Sequence, residues 1–219
     1  MKKQQYPKGQ ETAKKELRCD FLTRQKQILK SISSVSPAVH YETITEILEL
    51  SIEIAREGRE GRKIGTLFVI GDEKKVFKES RTLIMDPLKK HPKKDKHVTN
   101  PDLRETVKEL AQLDGGFLVS GDGYVLSAAR YFNADIEGVE IHQGLGARHV
   151  AAASITKRTD AIAIVVSESS IVRLFSNGKL IAEILPELWL MSRFSSHIRT
   201  PILTQHRQEN IAIVSEKKQ

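Results

Sequence analysis

Short apolar runs punctuated by tight-turn residues constrain this chain more than any other feature. Residues 64–70 (IGTLFVI) form a continuous apolar stretch closed by Gly71. Ala161 to Val166 forms another, long enough for a strand and short for a helix. Both read as buried strands. Phe117 to Ser120 and Tyr124 to Ala129 flank Gly121-Asp122-Gly123, while Ile171 to Phe175 and Lys179 to Ile184 flank Asn177-Gly178. Asn-Gly supplies the positive-φ positions that a type I′ turn demands, so each pair reads as a β-hairpin.

Helical segments lie before and between these strands. From Thr12 to about Ser33, Leu17, Phe21, Ile28 and Ile32 fall on one stripe opposite a charged face. Ser36-Pro37 then reads as a restart, with Ser as N-cap and Pro at the first helical position. That helix is expected to run to about Arg59, with Ile44, Ile47, Leu48, Ile52 and Ala55 inward and Gly58 and Gly61 ending it. Asn100-Pro101 opens another helix, through Leu103, Val107, Leu110 and Ala111. Asp72 to Lys75 reads as a turn and Val76-Phe77 as a short companion strand. Ser80 to Thr99 reads mostly as loop, and Arg130 to Gln143 as irregular chain. Near the end, Leu188 to Phe194 reads as a helix anchored by Trp189, and Ile211 to Val214 as a short edge strand. The sum is an α/β (α+β) domain with a mixed central sheet of about seven strands flanked by helices.

Composition narrows the partners. The chain has 219 residues and a net charge of +7, of which +6 falls in residues 1–40, so the basic character belongs to an N-terminal arm. A basic arm argues less for nucleic acid than a basic folded face does, so nucleic acid is not an expected partner. No apolar run reaches the roughly 18–20 residues of a membrane helix, and no apolar segment follows Met1-Lys2-Lys3 as a secretory leader requires. Cys19 is the only cysteine, which excludes an internal disulfide and makes the cytoplasm the expected compartment.

The chemistry gathers around Gly144-Leu145-Gly146-Ala147-Arg148-His149. A glycine turn that opens a helix, here Ala147 to Lys157, leaves backbone N–H groups at the positive end of the helix dipole, where an anion binds. Arg148 adds a permanently charged fork and His149 a titratable ring. Upstream, Asp114 precedes Gly115-Gly116 at the start of a strand. A carboxylate there can hold a divalent cation or accept a hydroxyl proton, beside a backbone that a ligand can approach. Downstream, Ser167-Glu168 follows a buried strand. Carboxylates for a cation and a basic helix start for phosphates are the parts of phosphoryl or nucleotidyl transfer.

At these residues the chain resembles the diadenylate cyclase domain, the N-terminal domain of DisA-type proteins. The resemblance covers about residues 38–185 and begins with Arg62 to Leu67 as the family's first strand. The family's Asp-Gly-Ala appears as Asp114-Gly115-Gly116 and its Gly-Thr-Arg-His-Arg as Gly146-Ala147-Arg148-His149-Val150. Its Ser-Glu appears as Ser167-Glu168, and its Asp-Gly-Lys-Leu as Asn177-Gly178-Lys179-Leu180. Order and spacing are kept. Gly116, Ala147 and Val150 depart from the pattern, as does Leu113, where relatives often carry His.

The resemblance implies condensation of two ATP into cyclic di-AMP and two pyrophosphates. Each 3′-hydroxyl attacks the partner's α-phosphorus, so two domains must face each other in a homo-oligomer. It implies Asp114, Arg148 and His149 as catalytic residues. It implies Asp114 and Glu168 as ligands of a divalent metal, Mg²⁺ or Mn²⁺. ATP is expected on Gly115, Gly116, Gly146, Ala147, Arg148, His149, Ser167 and Glu168, with Tyr131 stacked on adenine. The expected organisation is a basic arm with its helix over residues 1–37, a cyclase domain over 38–195 and a C-terminal extension over 196–219, in a soluble stand-alone member. The competing reading is a catalytically weak nucleotide-binding module of the same fold.

Overall fold

The structure is a computed structural model. It describes residue 36, residues 38–134 and 144–187, and the backbone of 201–206 and 211–216. The main body contains α1 (Tyr41–Glu57), β1 (Thr66–Ile70), α2 (Glu73–Lys78), β2 (Ser80–Thr82) and a 3₁₀ turn at Lys93–Lys96. These are followed by α3 (Pro101–Leu110), β3 (Gly116–Val119), β4 (Val125–Phe132), α4 (Ala147–Arg158), β5 (Ile162–Val166), β6 (Val172–Ser176) and β7 (Lys179–Ile184). Strands β8 (Pro201–His206) and β9 (Ile211–Glu216) pair antiparallel as a separate two-stranded sheet. The expected helices at Thr12 to Ser33 and Leu188 to Phe194, with Trp189, lie outside the described residues.

Seven strands form one mixed sheet in the order β2-β4-β3-β1-β5-β6-β7. Only β1 and β3 run parallel, and every other neighbouring pair is antiparallel. Both predicted hairpins form, at 121–124 and 177–178, with Asn177 and Gly178 both at positive φ. β1 and β5 are buried along their whole length, as continuous apolar runs in a covered sheet must be. Leu67, Val69, Ala163, Val165 and Phe175 pack against Ala152, Ala153 and Ile155 of α4. The alternate residues face the other way, where Phe68 and Phe117 stack with ring centroids 5.0 Å apart.

Several local expectations are corrected. Ser36 does not cap α1. The helix starts at Tyr41 with His40 as N-cap and no side-chain cap, while the Ser36 hydroxyl donates to the Asp160 carbonyl. Val76 and Phe77 are helical, because Asp72 takes a left-handed conformation and turns the chain into α2. Ser80–Thr82 is an edge strand paired with Arg130–Phe132, so β4 extends three residues into the segment read as irregular. Asn100 caps α3 as expected, its side chain accepting from the Asp102 N–H.

Helix α3 is tied to α1 by a charge network. Lys108, whose side chain is 10% exposed, reaches Glu53 (3.0 Å), Glu57 (3.3 Å) and Glu105 (2.9 Å). Arg104 bonds Glu53 at 2.7 Å and Glu46 at 3.2 Å. Burial disfavours the Lys108 charge, but the three carboxylates outweigh it and hold the ammonium above its ordinary range. Replacing Lys108 with Met keeps the apolar stem and leaves three facing carboxylates without their common cation. A loss of about 1–2 kcal/mol is expected in urea unfolding, and added salt should narrow the gap as it screens the repulsion.

Candidate functional site

The sheet register builds a floor. Arg130 of β4 stands opposite Gly116 of β3, which lies against Leu67 of β1. Leu67 stands opposite Val165, Val165 opposite Arg173, and Arg173 opposite Glu183. Residues in one cross-strand row point to one face. Leu67, Val165 and the two arginines line a cavity of about 600 Å³, and the N-terminus of α4 forms its rim. That volume suits a drug-sized or nucleotide-sized ligand.

Gly146 starts α4 in an extended conformation, with no side-chain cap. The His149 and Val150 N–H groups both close on the Gly146 carbonyl, at 3.0 and 3.3 Å. The amides of Ala147 and Arg148 precede the first helical bond and sit at the cavity rim, which is where a helix holds an anion. The Arg148 guanidinium lies between two carboxylates, with Nη1 3.5 Å from Glu168 Oε1 and Nη2 3.9 Å from Asp114 Oδ1. Gly65 makes room for this pair, since a Cβ there would stand 3.0 Å from Arg148 Nη1 and 3.2 Å from Glu168 Cγ. The Asp114 side chain is 96% exposed and carries no other described ion pair. Ser167 is fixed by a short turn in which its hydroxyl accepts from the Ser169 N–H at 3.2 Å.

Arg130 is buried at the other end of the floor. Its Nε and Nη2 donate to the Ser80 hydroxyl and carbonyl (3.0 Å each), its Nη1 donates to the Ser127 hydroxyl (3.2 Å), and its plane covers Phe77. These bonds hold edge strand β2 on β4. Beside it Tyr131 is half exposed under the Arg81 guanidinium, and Leu83 continues from β2 into the cavity wall.

His149 is buried in the wall. Its Nε2 is 3.1 Å from Arg173 Nη1, and arginine can only donate, so Nε2 holds the lone pair and Nδ1 the proton. Burial, then the charge of Arg173, push the ring's pKa down from 6.5 to about 4. The ring is therefore neutral at neutral pH.

The structure brings Asp114, Gly115, Tyr131 and Gly146 to one cavity with Ala147, Arg148, His149, Ser167 and Glu168. Gly115 needs its glycine, since φ is +95° and a Cβ would meet the Arg130 carbonyl at 2.6 Å. Gly116 is not in the lining. A Cβ on it would stand 2.4 Å from the Leu67 carbonyl, so the close packing of β3 on β1 requires glycine there, not a ligand. Val150 does not line the cavity either, so its missing charge removes nothing from the wall. Sequence reading missed Arg130 and Arg173. The available signal was a strand-interior arginine at an alternate position from Phe175, on the face that α4 covers.

Residues 53–180 match the DAC family model, described as DisA bacterial checkpoint controller nucleotide-binding. The chain belongs to this family. It is similar to a diadenylate cyclase from Methanocaldococcus jannaschii, with 46% identity over 146 residues, covering 66% of this chain and 46% of that protein. It is also similar to a diadenylate cyclase from Haloferax volcanii, with 43% identity over 147 residues, covering 67% and 54%. The chain thus spans about half the length of these relatives. Among solved structures, a double mutant of DacA from Staphylococcus aureus is 22% identical with a TM-score of 0.47, covering 69% of this chain and 94% of that one. The DAC match takes in every cavity residue named above, both arginines at the ends of the floor included. Among the described residues no helix is long and apolar enough to cross a membrane.

Proposed function

We propose that this DAC-family chain is a diadenylate cyclase, condensing two ATP into cyclic di-AMP with release of two pyrophosphates. The observation that carries the reading is Arg148, set between Asp114 and Glu168 at the open end of α4. The α4 amides and Arg148 hold phosphate oxygens and neutralise charge that grows on the α-phosphorus as it is attacked. Tyr131 and Leu83 offer an apolar wall for the base. Asp114, free to move at the cavity mouth, receives the proton of a 3′-hydroxyl or orients it.

No three metal-ligating side chains converge among the described residues. The donor chemistry of Asp114 and Glu168 nevertheless fits a hard divalent cation such as Mg²⁺ or Mn²⁺, which takes one or two carboxylates and fills its other positions with water and phosphate. Bound there, the cation would supply further neutralisation of the triphosphate. His149, neutral and sealed, supports the wall as a positioning residue in place of contributing a cation.

Ring closure needs two ATP presented to each other, so the active form is a homo-oligomer, with residues 38–195 as the cyclase domain, the arm at 1–37 controlling association and 196–219 as an extension. The cytoplasm, which holds ATP, is the compartment this chemistry requires. One observation favours a catalytically weak nucleotide-binding module: Ala147 puts a methyl at the α4 rim where the family pattern has a hydroxyl. Incubating the chain with ATP and either cation, then weighing the products, separates the readings. Cyclic di-AMP and pyrophosphate are expected. ATP bound but unconverted at high protein concentration identifies the module, and no binding of ATP overturns both.

A further inference from the structure

The cavity floor has a guanidinium at each end, and their hydrogen bonding differs. At the β4 end, beside Leu83, Tyr131 and Phe132, all three nitrogens of Arg130 are engaged by Ser80 and Ser127. At the β6 end, Arg173 donates through Nε to Glu183 (2.5 Å) and through Nη1 to His149 (3.1 Å). No described residue is hydrogen-bonded to its Nη2, and that nitrogen is not sealed from solvent. The side chain is 11% exposed and lines the cavity. Two partners therefore aim the guanidinium, and its Nη2 is left for a ligand.

The floor also has a polarity. Aromatic and apolar groups gather at the β4 end. Arg148, the α4 amides, Ser167 and Arg173 gather toward β5 and β6. We propose that Arg173 binds the terminal phosphates of the nucleotide, so that the base lies at the β4 end and the polyphosphate passes Arg148 to reach β6. This rests on the nucleotide reading of the site. A guanidinium held in place through Nε and Nη1, with Nη2 open to the cavity, offers a phosphate oxygen a fixed donor and a permanent positive charge. The neutral Nδ1–H form of His149 is part of the device, because only an unprotonated Nε2 can accept from Arg173 and keep the fork aimed.

The alternative role is structural, with Arg173 merely bracing His149. Calorimetric titration of ATP, AMP and inorganic pyrophosphate into the whole chain, with Mg²⁺ present, tells the two apart. Arg173→Met is expected to weaken ATP and pyrophosphate by about 10- to 100-fold and to leave AMP within about two-fold, with Arg173→Lys between. Equal losses for ATP and AMP, or no loss for ATP, overturn the assignment while the nucleotide reading stands. A wild-type chain that binds none of the three overturns that reading and the assignment together. Should Arg173→Met lack a cooperative melt, Arg173→Lys decides. A loss confined to ATP and pyrophosphate supports the role, and an unchanged ratio of ATP to AMP affinity removes it.

Discussion

Asp114→Asn should reduce cyclic di-AMP formation by about 10²- to 10⁴-fold, the usual worth of a positioned proton acceptor, and leave the melting temperature unchanged. The structural reason is the isolation of this side chain. It is 96% exposed, and its described ion pair, to Arg148, is 3.9 Å long. Such a pair contributes little to stability. Asn keeps the size and one acceptor oxygen but gives up the negative charge and the ability to take a proton. The substitution therefore tests chemistry with little disturbance of packing. ATP binding should persist, because Arg148 and the α4 amides are untouched. The check is product mass analysis of wild type and variant under identical metal and ATP, with a thermal melt of each. Full activity in the variant would move the proton-accepting role to Glu168, the other carboxylate on Arg148.

What the sequence revealed and what it concealed follow from the range of the interactions concerned. Asn177-Gly178 and Gly121-Asp122-Gly123 encode their turns within a few residues, and both hairpins form where they were read. Asn100-Pro101 likewise carries its own cap. Segments decided by distant partners were misread. Ser36 has the chemistry of a cap, yet its hydroxyl goes to Asp160, far along the chain. Ser80–Thr82 has no strand pattern of its own and becomes one because Arg130–Phe132 offers a free edge and Arg130 ties it down. The motifs at Asp114, Gly146 to His149 and Ser167-Glu168 were visible because each sits at a strand end or helix start, where local sequence sets the geometry. The floor between them was not. Period-two alternation shows that Arg173 shares a face with Phe175, but only the register of β1, β3, β4, β5 and β6 puts it in one row with Arg130.

His149 makes the site sensitive to acid, in a direction set by its environment. Its folded pKa of about 4 lies below the ordinary 6.5, chiefly because the ring is buried and secondly because Arg173 faces it; Arg148 adds to the depression, while the Gly146 carbonyl and Glu183 oppose it. A depressed histidine contributes stability above its unfolded pKa and loses it as the pH falls toward its folded one. Between pH 6.5 and about 4 the unfolded chain takes up a proton that the native chain refuses, so unfolding becomes easier as acid is added. The full difference is about 3 kcal/mol, a large share of the roughly 5–15 kcal/mol that holds a domain together. Carboxylates titrate over the same range, so the contribution is isolated by comparison with His149→Gln, whose amide oxygen can still accept from Arg173. Urea unfolding at pH 7 and at stepped values down to pH 4 is expected to show wild type losing about 3 kcal/mol more than the variant. Parallel curves for the two proteins would mean that the ring accepts a proton in the folded state as readily as in the unfolded one. Nucleotide binding should weaken only as the pH falls to about 4, where the ring of the folded chain itself takes up a proton. A protonated ring can no longer accept from Arg173, and the guanidinium would be repelled from the position in which Glu183 and His149 now hold it.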